Sequence, residues 1–170
     1  MSVISNTTVL SNFAAIDSLH RLHELFEEVF LPTEVYQEIQ RGLEEGYAFY
    51  SGVEDVLHPK REDGWLRLTS LNNEGEVLIF SGMPGQLHAG EASCLAIARQ
   101  RNWLLLTDDK AARRHAANLN IAVSGTLGCL ILGIERNLWT LEESNDWLKR
   151  IIASGFHSPV TDLAGLVKST

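Results

Sequence analysis

Short apolar runs alternate along the chain with segments that have helical periodicity. Runs with the length of buried strands occur at residues 1–4, 29–31, 65–71, 103–107 and 121–124. Between most of these runs, apolar side chains recur every three or four residues, which predicts amphipathic helices. This alternation is typical of an α/β fold in which helices pack on a central, mostly parallel sheet.

Polar residues indicate where the predicted helices begin. Residues 5–8, Ser-Asn-Thr-Thr, follow the first strand and are all favourable at a helix N-cap. Further helices are predicted over residues 18–28, from Pro32 to about Gly42 or Gly46, and over residues 90–101, 108–119 and 127–134. Thr140 and Glu143 have the spacing of a capping box, which predicts a C-terminal helix at about 140–153.

The chain has 170 residues and is predicted to form one domain with its own hydrophobic core, residues 1–170. Residues 46–88 interrupt the alternation because they contain many glycines and prolines, and only residues 65–71 form a convincing strand there. We interpret this stretch as an irregular insertion that adds peripheral structure. The pattern leaves open whether the insertion covers a functional site.

Composition narrows the class of protein. The net charge is −8, which argues against a protein that coats nucleic acid by neutralising many phosphates. Cys94 and Cys129 lie far apart, so neither a disulfide framework nor a zinc ribbon is indicated. The start of the chain lacks the pattern of a signal peptide, and no apolar run reaches the roughly 20 residues that a bilayer requires. We expect a cytoplasmic protein with no membrane partner.

Acidic and amide side chains occur where an open parallel sheet places its ligands. Asn6 follows the first predicted strand, and Asp108 and Asp109 follow the strand at residues 103–107. Ligands of such sheets bind beyond the carboxyl ends of the strands. Glu91 begins the helix before that strand, and Glu38 lies in the helix after the second strand. Only the tertiary fold decides whether these side chains converge.

Each of these residues also has a structural interpretation. Asp108 or Asp109 is a natural N-cap, and Asp109 can pair with Arg113 one turn further on. Glu91 is favourable near a helix N-terminus because of the helix dipole. Glu38 is more informative, since a carboxylate on the Val35 side of its helix is partly desolvated and needs a cation or a donor.

Three segments carry a resemblance to a known family. They are VISNTTVLSNFAAIDSLHRLHELFEEVFLPTEVYQEI, HAGEASCLAIA and NWLLLTDDKAARRHAANLNIAVSGTLGCLI. In this order they resemble the PIN-like group of uncharacterised proteins of DUF3368 type, related to toxin ribonucleases. The resemblance implies an α/β fold, a PIN-like α/β/α sandwich. It also implies that Glu38, Glu91 and Asp109 are catalytic acids and that Asp108 is a companion acid.

Asn6 departs from that family pattern, because PIN nucleases usually carry their first metal-binding aspartate at this place. The implied metal ligands are Asn6, Glu38, Glu91, Asp108 and Asp109. Oxygen-only ligands select Mg²⁺ or Mn²⁺, and such an ion activates water for phosphodiester hydrolysis. An amide oxygen can still bind the ion, but it carries no charge, so weaker metal binding is expected. An N-cap role for Asn6 is equally open.

The densest basic stretch lies next to the acids. Lys110, Arg113 and Arg114 are predicted to hold substrate phosphates, with Arg99 and Arg101 on the preceding helix as further candidates. The alternative is an ordinary solvated helix face that makes Asp–Arg pairs.

The leading hypothesis is therefore a metal-dependent ribonuclease that cleaves single-stranded RNA, as the toxin of a toxin–antitoxin pair with a small antitoxin protein as partner. The resemblance also implies a homodimer. The main alternative is a catalytically silent PIN-like module that binds RNA or protein, and Asn6 is the residue that separates the two. A nucleotide-binding α/β domain is disfavoured, because Gly125-Thr126-Leu127-Gly128 lacks the full glycine fingerprint of such domains.

Overall fold

A six-stranded, wholly parallel sheet forms the centre of the computed structural model, which describes residues 1–168. The strand order is β3-β4-β2-β1-β5-β6. The strands are β1 (Val3–Ser5), β2 (Val29–Pro32), β3 (Leu57–His58), β4 (Leu66–Thr69), β5 (Leu104–Leu106) and β6 (Val123–Ser124). The predicted α/β architecture with a parallel sheet is confirmed.

The helices follow the strands in the predicted alternation. They are α1 (Thr7–Ala15), α2 (His20–Phe26), α3 (Thr33–Glu44), α4 (Ser51–Glu54), α5 (Glu74–Ser81), α6 (Ala89–Arg101), α7 (Lys110–Asn118), α8 (Thr126–Glu135) and α9 (Leu141–Ala153), with a 3-10 turn at Ala48–Tyr50. Helices α1, α2, α8 and α9 contact one another, and α6 contacts α3, α5 and α7. The two sets form the outer layers of an α/β/α sandwich. None of the helices within residues 1–168 combines the length and apolarity that crossing a membrane would take.

The strand order reverses direction at β1, which lies inside the sheet between β2 and β5. The chain passes from β1 to β2 on one side, whereas β5 lies on the other side of β1 and leads outward to β6. Ser5 of β1 pairs in register with Leu106 of β5, so both strands end at the same level. In open α/β sheets this switch point is where ligands bind, just beyond the carboxyl ends of the strands.

Residues 46–88 contain more regular structure than their glycines and prolines indicate. They form the 3-10 turn, α4, β3, β4 and α5, and β4 joins the sheet between β2 and β3. A buried ion pair attaches α5 to α6, because Arg101 Nε donates to Glu76 Oε1 at 2.6 Å. The segment therefore contributes two strands, β3 and β4, to one edge of the sheet.

Candidate functional site

Asn6 lies at the switch point and is 2% exposed. It is the N-cap of α1, and its Oδ1 accepts hydrogen bonds from the Thr8 N–H at 3.1 Å and the Thr8 hydroxyl at 2.8 Å. Its Nδ2 donates to Thr107 Oγ1 at 2.7 Å, which links the ends of β1 and β5. Both ends of the amide are therefore engaged within the protein.

Asp108 connects β5 to two helices. Its Oδ1 accepts the Thr126 N–H at 2.9 Å, and its Oδ2 accepts the Thr126 hydroxyl at 2.6 Å and Asn12 Nδ2 at 3.1 Å. The carboxylate thus satisfies the N-terminus of α8 and is held against α1. Gly125 is required here, because a Cβ at this position would overlap Asp108 Oδ1. The Gly125-Thr126 turn is thereby explained as a tight junction that receives an aspartate.

Asp109 is the residue that caps α7. Its Oδ1 accepts the Ala112 N–H at 2.7 Å, and its own N–H donates to Thr107 Oγ1 at 3.1 Å. The helix predicted over residues 108–119 therefore begins at Lys110, and Asp108 lies before its cap, because only one of two adjacent acids can occupy the N-cap. No Asp109–Arg113 ion pair forms in the part of the chain that the structure describes; Arg113 Nη1 instead donates to the Thr107 carbonyl at 3.0 Å.

Glu38 projects from α3 toward the N-terminus of α6. Its neighbours on the helix, Val35 and Ile39, are fully buried, whereas Glu38 is half-buried. A Cβ on Gly90 would lie 2.5 Å from Glu38 Oε1, so this glycine allows the carboxylate to approach the α6 backbone. Burial raises the pKa of Glu38, and the charge of Glu91 raises it further, against partial relief from the Gly90 N–H and from His88.

Glu91 lies in the first turn of α6 and closes its capping box. Its Oε2 accepts the His88 N–H at 3.2 Å. Burial raises the pKa of Glu91, and the charge of Asp109 raises it further. The negative charge of Asp109 thus acts on Glu91, and the negative charge of Glu91 acts on Glu38. The fold brings Asp109, the N-cap of α7, near Glu91 of α6, and it brings Glu91 near Glu38 of α3.

The acids have the right donors for a hard cation, but they do not form a closed cage. Across residues 1–168, no three His, Cys, Asp or Glu side chains converge closely enough to hold a metal ion on their own. Burial raises the pKa of Glu38 and of Glu91 by more than their N–H donors, Gly90 and His88, lower it, so a bound cation would stabilise the charged form of both side chains. Mg²⁺ commonly keeps several waters and binds through one or two carboxylates. The residues fit an ion bound in this open manner.

The basic residues divide into two groups. Lys110 and Arg113 line a cavity of about 640 Å³ beside Asp108 and Gly125, and Arg114 is exposed on α7. Arg101, a further phosphate-binding candidate from the sequence, is bound to the buried Glu76 and stacks on Trp103 at 4.9 Å. That expectation for Arg101 is wrong, because its guanidinium neutralises a carboxylate inside the protein.

Sequence reasoning missed two features of this region. A cleft of about 710 Å³ contains Glu38 together with Tyr47, Phe49 and Tyr50, aromatic residues from the stretch that had no readable pattern. Glu34, one turn before Glu38, lines the same cleft, and its Oε2 is buried with no hydrogen-bond partner among residues 1–168. The spacing of four residues between Glu34 and Glu38 is the signal that could have identified this second acid.

Cys94 of α6 lies close enough to three of the acids to be affected by their charges. Burial raises the pKa of its thiol well above the ordinary value, and the charges of Glu38, Glu91 and Glu34 add to the effect. Three carboxylates therefore act on one buried side chain of α6. The negative potential is concentrated between α3 and α6.

The protein is an α/β/α sandwich in which Asp108 and Asp109 follow a parallel strand, whereas Glu38 and Glu91 lie on two helices that contact each other. Comparison with family models then identifies the family: the model of DUF3368, described as a PIN domain, matches residues 2–169, and the chain belongs to this family. PIN domains are commonly nucleases and typically use divalent metals.

Comparison with solved structures gives distant similarities. A PilT N-terminus domain protein, SSO1118, from the archaeon Sulfolobus solfataricus is 13% identical, with 94% of this chain and 98% of that chain covered and a TM-score of 0.41. A domain of a functionally unknown protein from Methanocaldococcus jannaschii is 19% identical, with 74% and 91% covered and a TM-score of 0.45. No curated protein matches the chain.

Proposed function

We propose that the protein is a metal-dependent endoribonuclease that cleaves single-stranded RNA with Mg²⁺ or Mn²⁺. The observation that carries the proposal is the chain of three acids in which the charge of Asp109 acts on Glu91 and the charge of Glu91 acts on Glu38. Like charges that are held together and partly buried are costly without a cation. Membership of the PIN family supports the same conclusion.

The ion would be held at Glu38, Glu91 and Asp109, directly by one or two of these carboxylates and through bound waters by the rest. When bound, the ion would supply a water of lowered pKa and would stabilise charge on the phosphate oxygens. Asp109 is oriented by its bond to the Ala112 N–H, and Glu91 by its bond to the His88 N–H, so each carboxylate has one fixed oxygen. Asn6 and Asp108, whose polar atoms are already bonded, would position the strand ends that carry the acids.

Substrate phosphates would be bound by the cations of α7. Lys110 and Arg114 are exposed, and Arg113 is tied through Nη1 to the end of β5, next to the acids. Charge-assisted contacts of this kind position a nucleic-acid backbone without reading its sequence. They would also offset the negative net charge where RNA approaches.

The second candidate function is a catalytically silent module that binds RNA or a protein through the same region. The observation in its favour is the bonding of Asn6, whose amide is shared between Thr8 and Thr107 and contributes no charge. The acids on α3 and α6 do not depend on that residue. We therefore place this alternative second.

The biological setting that we propose is a toxin–antitoxin pair in the cytoplasm, with a small antitoxin protein as partner and a homodimer as the active form. The support is the resemblance to toxin ribonucleases. Size-exclusion chromatography with light scattering tests the dimer, and co-expression with the neighbouring open reading frame tests the antitoxin.

The nuclease is tested by incubating purified protein with a fluorescent single-stranded RNA and Mn²⁺, Mg²⁺ or EDTA. We expect cleavage with the metals alone, and a loss of about 100-fold or more in Glu38→Gln and Asp109→Asn, because each substitution removes an anionic ligand. Glu44→Gln, at an exposed position of the same helix as Glu38, is the matched control and should cleave normally. Equal cleavage by all variants would reject the assigned acids, and metal-dependent binding without cleavage would favour the silent module.

A further inference from the structure

The cleft beside Glu38 has an aromatic wall. It lies between α1, α3 and the 3-10 turn, and it is lined by Tyr47, Phe49 and Tyr50. The ring centroids of Phe49 and Tyr50 are 4.5 Å apart, and those of Tyr47 and Phe49 are 6.0 Å apart. Three neighbouring rings therefore form one aromatic surface in the cleft that also contains Glu38.

A glycine on α3 gives this aromatic wall room to pack against the helix. Gly42 is buried, and a Cβ there would lie 2.8 Å from Tyr50 Cε2 and 3.6 Å from Tyr47 Cδ2. The absence of a side chain thus lets the Tyr50 ring pack onto the helix backbone. Phe49 and Tyr50 are partly buried behind Tyr47, whereas Tyr47 itself is 53% exposed. Tyr47 is therefore the most exposed of the three aromatic residues that line the cleft.

We propose that this aromatic cleft binds a nucleobase of single-stranded RNA, next to the phosphate that approaches Glu38. The inference rests on the proposed function and adds a base-binding subsite to it. Bases of a single strand expose their faces and stack on aromatic side chains without regard to sequence, whereas bases in a duplex are already stacked. The cleft would therefore favour single strands over duplexes.

The charges around the cleft agree with a base rather than a phosphate as the occupant. Glu34 and Glu45 line it, and their carboxylates disfavour an anion inside. Arg41 also lines the cleft and is exposed, so it can meet a phosphate at the edge. A neutral base against the rings and a phosphate near the cations or a bound ion satisfy both sets of charges.

The experiment measures RNA affinity separately from cleavage. The Kd of a labelled single-stranded RNA is determined by fluorescence anisotropy, in Ca²⁺ in place of Mn²⁺ or Mg²⁺, for the wild type, Tyr47→Ala and Tyr47→Phe. We expect Tyr47→Ala to weaken binding about 10-fold or more through the loss of one stacked base, and Tyr47→Phe to bind nearly as the wild type does. Leu78→Ala, at a residue 65% exposed on α5, is the matched control and should not change affinity.

A 2-aminopurine base in the RNA gives a direct readout of stacking. Its fluorescence should be quenched on binding to the wild type and to Tyr47→Phe, and should remain high with Tyr47→Ala. Unchanged RNA affinity and unchanged quenching in Tyr47→Ala would overturn the base site. If Tyr47→Ala weakens RNA binding in a protein that never cleaves RNA, the base site stands and the nuclease function fails.

Discussion

Glu76 and Glu38 are both carboxylates withdrawn from water, but their surroundings differ. Glu76 is fully buried and accepts hydrogen bonds from Arg101 Nε at 2.6 Å and from the Asn72 N–H at 2.8 Å. Burial alone would raise the pKa of Glu76, yet the bonds from Arg101 and Asn72 outweigh burial and lower it. Glu38 forms no ion pair among residues 1–168, and burial raises its pKa. The ion pair with Arg101 is therefore a physical difference between the two carboxylates.

This difference separates acids that hold the fold together from acids that are available to a ligand. Asp108 belongs with Glu76, because both of its oxygens accept donors from the protein. Glu38 and Glu91 belong to the second kind, because neither forms an ion pair within residues 1–168 and burial raises the pKa of each. Asp109 lies between the two, with one oxygen engaged as a helix cap.

The largest effect on stability is expected from Glu76→Ala. The substitution leaves the Arg101 guanidinium without its partner beneath α5, and breaking a buried pair in this way costs about 3–5 kcal/mol. Chemical denaturation measures this loss as a decrease in the free energy of unfolding. Glu74→Ala, on the exposed side of the same helix, is the control and should change stability by less than about 0.5 kcal/mol. Similar losses in free energy of unfolding for the two variants would show that Glu76 is not an acid that stabilises the fold.

The contribution of Glu76 should also depend on pH in a defined direction. Its folded-state pKa lies below the ordinary value of 4.5, so the stability it provides is fully present above that value and is lost as pH falls through the folded-state pKa. The difference in free energy of unfolding between the wild type and Glu76→Gln should therefore be largest near neutral pH and should decrease in acid. A difference that grows as the solution is acidified would contradict a lowered pKa.

Asp108→Ala should have the next largest effect. It removes the acceptor of the Thr126 N–H, the Thr126 hydroxyl and the Asn12 amide, and hydrogen bonds to a charged group contribute about 1.5–3 kcal/mol. We expect a loss of about 2–3 kcal/mol, measured by denaturation in EDTA. A loss below about 0.5 kcal/mol would place Asp108 with the available acids instead.

Asp109→Ala should have a smaller effect on stability, because only its N-cap bond to Ala112 is lost. Removal of such a cap costs about 1 kcal/mol. Denaturation in EDTA measures this cost beside that of Asp108→Ala. The two adjacent acids should thus be ranked oppositely by stability and by RNA cleavage, and the same ranking in both assays would reject the distinction between them.

Much of this arrangement could be predicted from local sequence patterns. The strands around Val29 and Leu105, and the helices that carry Glu38 and Glu91, follow from apolar periodicity and capping residues, because those signals lie within each element. The position of Asp109 after a buried strand was equally readable. These features place the acids in the chain, and the parallel sheet explains why strand ends meet.

The contacts between elements could not be predicted in the same way. Asp108 bonds to Thr126 and Glu76 to Arg101, and nothing in the local pattern of either residue indicates such distant partners. The aromatic wall was missed because Tyr47 and Tyr50 follow α3 in a glycine-rich stretch with no regular period. Their position becomes evident only when Gly42 brings Tyr50 against α3.

Glu38→Gln should have the smallest effect on stability in the absence of metal. Glutamine keeps the shape of the side chain and removes a half-buried charge that forms no ion pair among residues 1–168. We expect the free energy of unfolding in EDTA to stay within about 1 kcal/mol of the wild-type value or to rise. A loss as large as that of Glu76→Ala would show that Glu38 is a structural acid.

The central claim, that Glu38, Glu91 and Asp109 form a cation site, is tested most directly by thermal unfolding with and without Mn²⁺. A ligand at about ten times its Kd stabilises the folded protein by about 1.4 kcal/mol, which corresponds to about 3–6 °C for a domain of this size. We predict a rise of this order for the wild type and for Glu44→Gln, and no rise for Glu38→Gln or Glu91→Gln. An equal rise in all four proteins would contradict the account, because the ion would then bind elsewhere.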